Sequence, residues 1–250
     1  MSKNHDLFSH NLISLTIKVK NNYHNIIKLL GFGDLMVIEN IFQNYGYNTI
    51  IGYSGKDITD DMIEACMAID KKFYGGEYTW ANSMKNIVQK FNQMCFVFID
   101  TAENAIVGYS FWVPIKTQVF NDFIKNKKML LDFEDSYFSD YKQSSVNLFL
   151  AGEAYVLGYD IKNLHKAVED IIQKRILDLA YMGVKVKYVA IESCCKFEEE
   201  FLVPLLGLTK KVKKDKSTFY YDEYSPNKVY KRSKYSEGIR QFYTKDKTSK

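Results

Sequence analysis

The sequence predicts a mixed α/β domain built around one sheet. Three observations predict it. Several short segments alternate apolar and polar residues with a period of two, as half-buried strands do. Other segments repeat apolar residues every three to four positions, as helices do. Strands and helices then interleave through the second half of the 250-residue chain, the order in which a sheet acquires helical cover. With 46% hydrophobic and 26% charged residues, the chain has apolar surface enough to offset the entropy of folding, which excludes a largely disordered protein.

Residues 1–45 read as an N-terminal extension of one strand and two short helices. Leu15, Ile17 and Val19 alternate in SLTIKVK (14–20), and Ile26, Ile27, Leu30, Leu35, Ile38, Ile41 and Phe42 have helical spacing on either side of Gly31-Phe32-Gly33. YNTIIGYS (47–54) is the next strand. Thr59 is placed to cap a helix, because a hydroxyl there can accept from a free first-turn amide, and Asp60 and Asp61 suit the positive end of its dipole. Met62, Cys66, Ile69 and Phe73 form the apolar stripe of that helix. A second helix, about 82–92, carries Met84, Ile87, Val88 and Phe91.

CFVFID (95–100) and AIVGYSFWVPI (105–115) read as a hairpin turning at Asn104, and residues 117–142 as one or two inserted helices. VNLFLAGEAYVLGY (146–159) is a long strand. Residues 163–182 form the clearest helix, stopped by Gly183. KYVAIES (187–193) is a strand, FEEEFLVPLLG (197–207) a short helix, and STFYYDEY (217–224) a last strand. The expected organisation is an extension at 1–45, a main domain at 46–226 and a basic tail at 227–250.

From Leu208 onward, 13 Lys/Arg stand against 5 Asp/Glu, a net of +8 on a body of net −4. Such a tail can touch nucleic acid or phosphates, but a solvated terminus accounts for it as well, and nucleic acid is not the expected partner. No stretch nears the roughly 18 apolar residues of a membrane span, and the N-terminus lacks the layout of a secretory signal, so a cytoplasmic protein without membrane contact is expected. Cysteines at 66, 95, 194 and 195 and histidines at 5, 10, 24 and 165 lack ligand spacing, and no metal is expected. GxSxG, a Walker loop and a GxGxxG turn are absent, which argues against a serine hydrolase and against nucleotide or dinucleotide chemistry.

One constellation remains. A strand ending AYVLGYD runs into the amphipathic helix KNLHKAVEDIIQKRILDLAYMGVK, then the strand KYVAIES, then EEEFLVPLLGLTK. Upstream stand DITDDMIEACMAIDKKFY and FVFIDTAENAIVGYSFW. In this order, residues 47–224 resemble the GCN5-related N-acetyltransferase (GNAT) superfamily. The resemblance implies a GNAT-like acyl-CoA N-acyltransferase fold in which the strand at 148–157 splays from its neighbour. Val156 and Leu157 would then offer backbone to the pantetheine arm of acetyl-CoA, as an added strand does. Lys162, Asn163, Leu164, His165, Lys166 and Ala167 match the segment that holds the pyrophosphate on helix amides. Lys162 stands for the family's Arg or Gln, Ala167 is a permitted residue, and His165 stands where the family has Gly. Ser193 falls where the family often has an Asn near the CoA.

Glu153 is the only acid between Val146 and Tyr159, and a carboxylate in an apolar strand is costly unless paired. The family often uses a glutamate on this strand to deprotonate its acceptor, and Tyr155 shares the face of Glu153. Val203 stands where the family often has an acidic Tyr, leaving Tyr155, Tyr159 and Tyr220 as alternatives. The function implied is transfer of an acetyl group from acetyl-CoA, as co-substrate, to an amine of a small molecule or protein by direct attack. The alternative is a noncatalytic GNAT-like acyl-CoA-binding or regulatory module, and an oligomer is left open. Tyr109, Phe111, Trp112, Phe120, Phe123, Phe133, Tyr137, Phe138 and Tyr141, with Asp132, Glu134, Asp135 and Asp140, read either as a wall for a cationic amine or as core with a solvated acidic rim. Tyr235, Ile239, Phe242 and Tyr243 share a helical face, yet removal of 231–250 is expected to leave the fold nearly intact.

Overall fold

The computed structural model describes residues 41–74, 80–125, 134–156, 160–193, 196, 198–215, 217–225 and 235–245. The strand expected at 14–20 and the helical turns before residue 41 lie outside them. Seven strands form one sheet in the order β1-β2-β3-β4-β5-β7-β6. They are β1 (Ile50–Ser54), β2 (Cys95–Asp100), β3 (Ala105–Ile115), β4 (Ser145–Tyr155), β5 (Lys185–Ser193), β6 (Lys210–Lys213) and β7 (Thr218–Glu223). All neighbours are antiparallel except β4 and β5, which run parallel, as strands joined by a crossover helix must. This is the mixed α/β class that the sequence predicts.

Among the described residues the helices of eight residues or more are α1 (Asp60–Tyr74), α2 (Trp80–Lys90), α3 (Thr117–Ile124), α4 (Ile161–Tyr181) and α5 (Ser236–Lys245), and shorter helical segments run over Glu198–Leu202 and Val203–Leu205, within the helix expected at 197–207. Thr59 caps α1 as expected: its Oγ1 accepts the Met62 amide at 3.3 Å. Met62 and Cys66 on the stripe behind that cap are buried. In the insertion, α3 is the one helix of more than a single turn among the described residues; a short turn at Asp135–Tyr137 follows, and Phe138 bridges to Ile115. β6 was not foreseen. Lys210, Lys211 and Lys213 are exposed along it, at the edge of the sheet.

Two clusters of buried side chains make the core. One joins α4 and α5 to the sheet and includes Phe42, whose ring meets Phe98 edge-on at 5.3 Å. The other joins α1, α2 and α3 to the sheet. There Phe123 stacks on Phe149 (5.6 Å) and on Phe219 (5.2 Å), and Lys214 Nζ sits 4.4 Å above the Phe123 ring, 3.4 Å from Glu192 Oε2. Both charged side chains are buried, so each depends on the other. Tyr109, Phe111, Trp112, Phe120, Phe123, Tyr137 and Phe138 are all buried, while Glu134, Asp135 and Asp140 are exposed. The aromatic tract is thus core with an acidic rim; Phe133 and Asp132 lie outside the described residues.

The C-terminal apolar spacing is also structural. Ile239 is fully buried, and Gly238 lies so close to Leu177 of α4 that an added Cβ would stand 3.2 Å from it. The Tyr243 hydroxyl accepts the Val186 amide (2.7 Å) and donates to the Val186 carbonyl (3.1 Å). β7 is antiparallel to β5 and its last residue, Glu223, pairs with Tyr188, so this phenol bonds the β5 backbone beyond the end of β7. The expectation that 231–250 can be removed at little cost is therefore revised. Ile239→Ala is expected to cost about 2–5 kcal/mol by cavity formation, and Tyr243→Phe about 1–3 kcal/mol by orphaning buried backbone groups. Thermal melting of the two variants checks both, and unchanged midpoints would mean that α5 is not docked.

Candidate functional site

The site begins where β4 leaves β5. The two strands pair from Ser145↔Lys185 to Leu150↔Ile191 and no further. At that point β4 carries a bulge against β3: Trp112 opposes Leu150, Phe111 opposes Gly152, and Ala151 is the extra residue. A bulge bends its strand and raises its twist. Beyond it, β4 follows β3 through Tyr155, while Glu192 and Ser193 of β5 pair with Phe219 and Thr218 of β7. Among the described residues the facing edges there have no ladder partners, which leaves room for an extended chain bearing amides. The Val156 amide is committed to the Val107 carbonyl at 2.9 Å, on the β3 side. Leu157 lies outside the described residues. Ser193 is buried on the β5 side of the gap.

α4 opens directly after this edge. Asp160 caps it, its carboxylate accepting the Asn163 amide (3.3 Å) and the Asn163 side-chain amide (2.9 Å). The Asp160 carbonyl accepts the Tyr47 hydroxyl (2.6 Å) and the Leu164 amide (2.9 Å), which pins the helix start to the chain entering β1. The amides of Ile161 and Lys162 precede these bonds at the positive end of the helix. Lys166 is exposed and reaches Asn163 Oδ1 at 3.4 Å. Leu164 and Ala167 are fully buried against the sheet, so their side chains face away from any ligand at the helix end. His165 also points inward rather than toward that end.

His165 meets Glu153. The carboxylate is buried on the α4 face of β4, and each oxygen is engaged. Oε2 accepts from Ser110 Oγ (2.7 Å), the residue paired with it across the ladder, and Ser110 Oγ accepts from Trp112 Nε1 (3.0 Å). Oε1 accepts from the Tyr155 hydroxyl (2.8 Å) and lies 3.3 Å from His165 Nδ1. Burial, and then the Glu153 charge and hydrogen bond, hold the Tyr155 phenol well above its ordinary pKa, so it stays protonated. Its ring lies over Gly108, where a Cβ would stand 2.5 Å from it. The structure thus brings Glu153, Tyr155 and His165 into one unit with Ser110 and Trp112. The role of Ser110 was missed because pairing across strands is not written in either strand alone.

The opposite face of β4 holds a second carboxylate. The bulge turns both Ala151 and Gly152 toward α1 and α2, and the Tyr109 ring packs on Gly152. The Tyr109 hydroxyl donates to Asp70, in the last turn of α1. Asp70 is half-buried, and its pKa is pushed up to about 6, chiefly by burial; the Glu198 charge adds to the rise and the Tyr109 bond opposes it. The sequence held one signal for it: Asp70 stands four residues after buried Cys66, on the apolar side of α1. Tyr220, one alternative phenol, donates to Glu199 at 3.1 Å, and Val203 is buried. Among the described residues no group of three or more His, Cys, Asp or Glu is placed to hold a metal ion, and no helix is long and apolar enough to cross a membrane.

Four antiparallel strands lead into a parallel pair that opens at one end, with a helix crossing between its members, and this is the element order on which the sequence resemblance rests. No protein-family model matches the chain, and no curated protein matches it. Among solved structures it is similar to Ard1 from Thermoplasma volcanium (10% identity, TM-score 0.45, covering 71% of this chain and 99% of that one). It is also similar to Arabidopsis thaliana NAA60 in complex with acetyl-CoA (13%, 0.47, 70% and 99%) and to ribosomal-protein-S5-alanine acetyltransferase from Vibrio fischeri (9%, 0.44, 70% and 92%).

The raised Asp70 pKa has a consequence for stability. A folded-state pKa above the unfolded one means that the native state binds the proton more tightly, so the stability it contributes is present below about pH 4 and is lost as pH rises through about 6. Asp70→Asn removes the buried charge and keeps an acceptor for Tyr109. It is expected to raise the melting temperature at pH 8 relative to the wild type, and by less at pH 5, where Asp70 is itself protonated. Equal shifts at both pH values would show that Asp70 is not perturbed.

Proposed function

We propose that the protein is an acetyl-CoA-dependent N-acetyltransferase of the GNAT superfamily, acting on an amine of a small molecule or a protein. The observation that carries this reading is the parting of β4 from β5 after Leu150↔Ile191, immediately ahead of the N-terminus of α4. An arm with amides needs an unpaired strand edge, and a pyrophosphate needs unengaged amides at the positive end of a helix. β4 offers the first up to Val156, with Leu157 next in the chain. α4 offers the positive end of a helix opening at Ile161, with Asn163 and the exposed Lys166 in its first turns. Ser193 borders the gap from β5. Bound there, acetyl-CoA supplies a thioester whose acetyl carbon is open to a neutral amine. The chain's share is to hold the arm, orient the acceptor and handle its protons. Glu153 and Tyr155 belong to that share: the phenol keeps its proton and the carboxylate fixes the phenol.

A noncatalytic acyl-CoA-binding or regulatory module is the second reading. Asp160 favours it, because its carboxylate occupies the Asn163 amide that a phosphate would use. Val203 favours it too, standing where the family often has a phenol.

Calorimetric titration tests the shared part of both readings. The protein is expected to bind acetyl-CoA with a Kd between low-micromolar and sub-millimolar, roughly −5 to −8 kcal/mol. No heat and no thermal shift at millimolar acetyl-CoA would remove both. To separate them, CoA thiol release is followed with primary amines as acceptors. Glu153→Gln, which loosens the hold on the Tyr155 phenol, is expected to slow release with the acetyl-CoA Kd unchanged. Unchanged turnover would clear Glu153 of that part.

A further inference from the structure

We infer that Asp70 is the carboxylate that receives the acceptor's proton, held by Tyr109, on the face of β4 opposite Glu153. The inference rests on the acetyltransferase reading above and assigns the side from which the acceptor enters. Gly152 lies just past the last β4–β5 pair, and a Cβ there would stand 3.3 Å from the Tyr109 hydroxyl and 3.2 Å from its ring edge. The phenol therefore rests on the backbone where β4 swings free. Asp70 accepts the hydrogen bond of that phenol, which puts the carboxylate one side chain away from the opened strand.

The two carboxylates differ in access. Glu153 lies under the first turns of α4 with its side chain 3% exposed and with Ser110, Tyr155 and His165 on its oxygens. Asp70 is half-buried and reachable from solvent. The groups facing it are Tyr109 from β3, Glu198 from the turn after β5 and Cys66 one turn back on α1, while α2 brings the apolar Met84 against the same glycine. A base that titrates near 6 is ionised at neutral pH yet keeps affinity for a proton, the compromise that general-base catalysis favours.

The step balances as follows. One ammonium proton passes to the Asp70 carboxylate. The freed nitrogen lone pair bonds the acetyl carbon, and the carbon–sulfur bond breaks with its electrons on sulfur. The second N–H proton goes to the departing thiolate, and Asp70 returns its own proton to water. Acetylated amine and CoA thiol remain.

The test uses the full chain, acetyl-CoA and n-butylamine. Calorimetry with acetyl-CoA comes first; if the wild type does not bind, the acetyltransferase reading fails on its own. CoA thiol release is then followed against pH. The wild-type rate is expected to fall below about pH 6. Asp70→Asn should slow release by roughly 10²–10⁴-fold and abolish that limb, with acetyl-CoA affinity kept. Tyr109→Phe removes a bond to the ionised form and should move the limb to higher pH; Glu153→Gln should leave the limb in place. An Asp70→Asn enzyme that keeps the wild-type limb, or a Glu153→Gln enzyme that loses it, overturns the inference while the binding result stands. A readout without turnover is the carboxyl carbon resonance of Asp70 in labelled protein. It should titrate near pH 6 and shift when n-butylammonium is added to the CoA-saturated protein. A resonance indifferent to the amine also overturns it.

Discussion

The hydrogen-bond ladder between β4 and β5, and its end at Leu150↔Ile191, is the constraint on which the rest depends. Buried backbone groups rarely go unpaired, so two neighbouring strands can part only if each is held from its other side. β3 holds β4 through Gly108↔Tyr155, and β7 holds β5 through Ser193↔Thr218. The bulge at Ala151 does more than bend the strand. It spends two successive residues on the α1 face and returns Glu153 to the α4 face, so one irregularity both opens the gap and sorts the side chains around it.

Each lip of the gap is stiffened by a buried acid. On β4, Glu153 is bonded to both neighbouring elements, β3 through Ser110 and α4 through His165. On β5, Glu192 meets Lys214 and Ser217 from the turn between β6 and β7. Breaking such a buried pair by removing one partner costs about 3–5 kcal/mol, because the survivor is left charged and alone. The rigidity of the lips thus comes from polar contacts, while the aromatic layers beneath supply bulk burial.

The fold was legible wherever period and length agreed. α4 shows twenty-one residues of amphipathic repeat, and β2 and β3 show a hairpin with Asn104 at positive φ, as its turn requires. β6 escaped because four residues with a single half-buried Val carry no readable alternation. The site was legible only in part. Glu153 stood out as an acid in an apolar strand, and Tyr155 as its neighbour on the same face. A strict period of two cannot foresee a bulge, so the turning of Gly152 toward α1 was hidden, and with it the pairing of Tyr109 and Asp70. His165 was placed by its position in a motif, whereas its side chain answers to a strand residue twelve positions earlier.

The lysine-bearing edge at β6 has a meaning beyond its place in the sheet. An open strand edge is a template for another chain, and charges along it discourage such pairing. Lys210, Lys211 and Lys213 line this edge and Lys214 is buried against Glu192, so part of the positive charge gathered after Leu208 is bound up with the sheet itself. Electrostatic repulsion along that border protects the protein against fibre-like growth through strand addition. Two copies meeting β6 to β6 would bring like charges together.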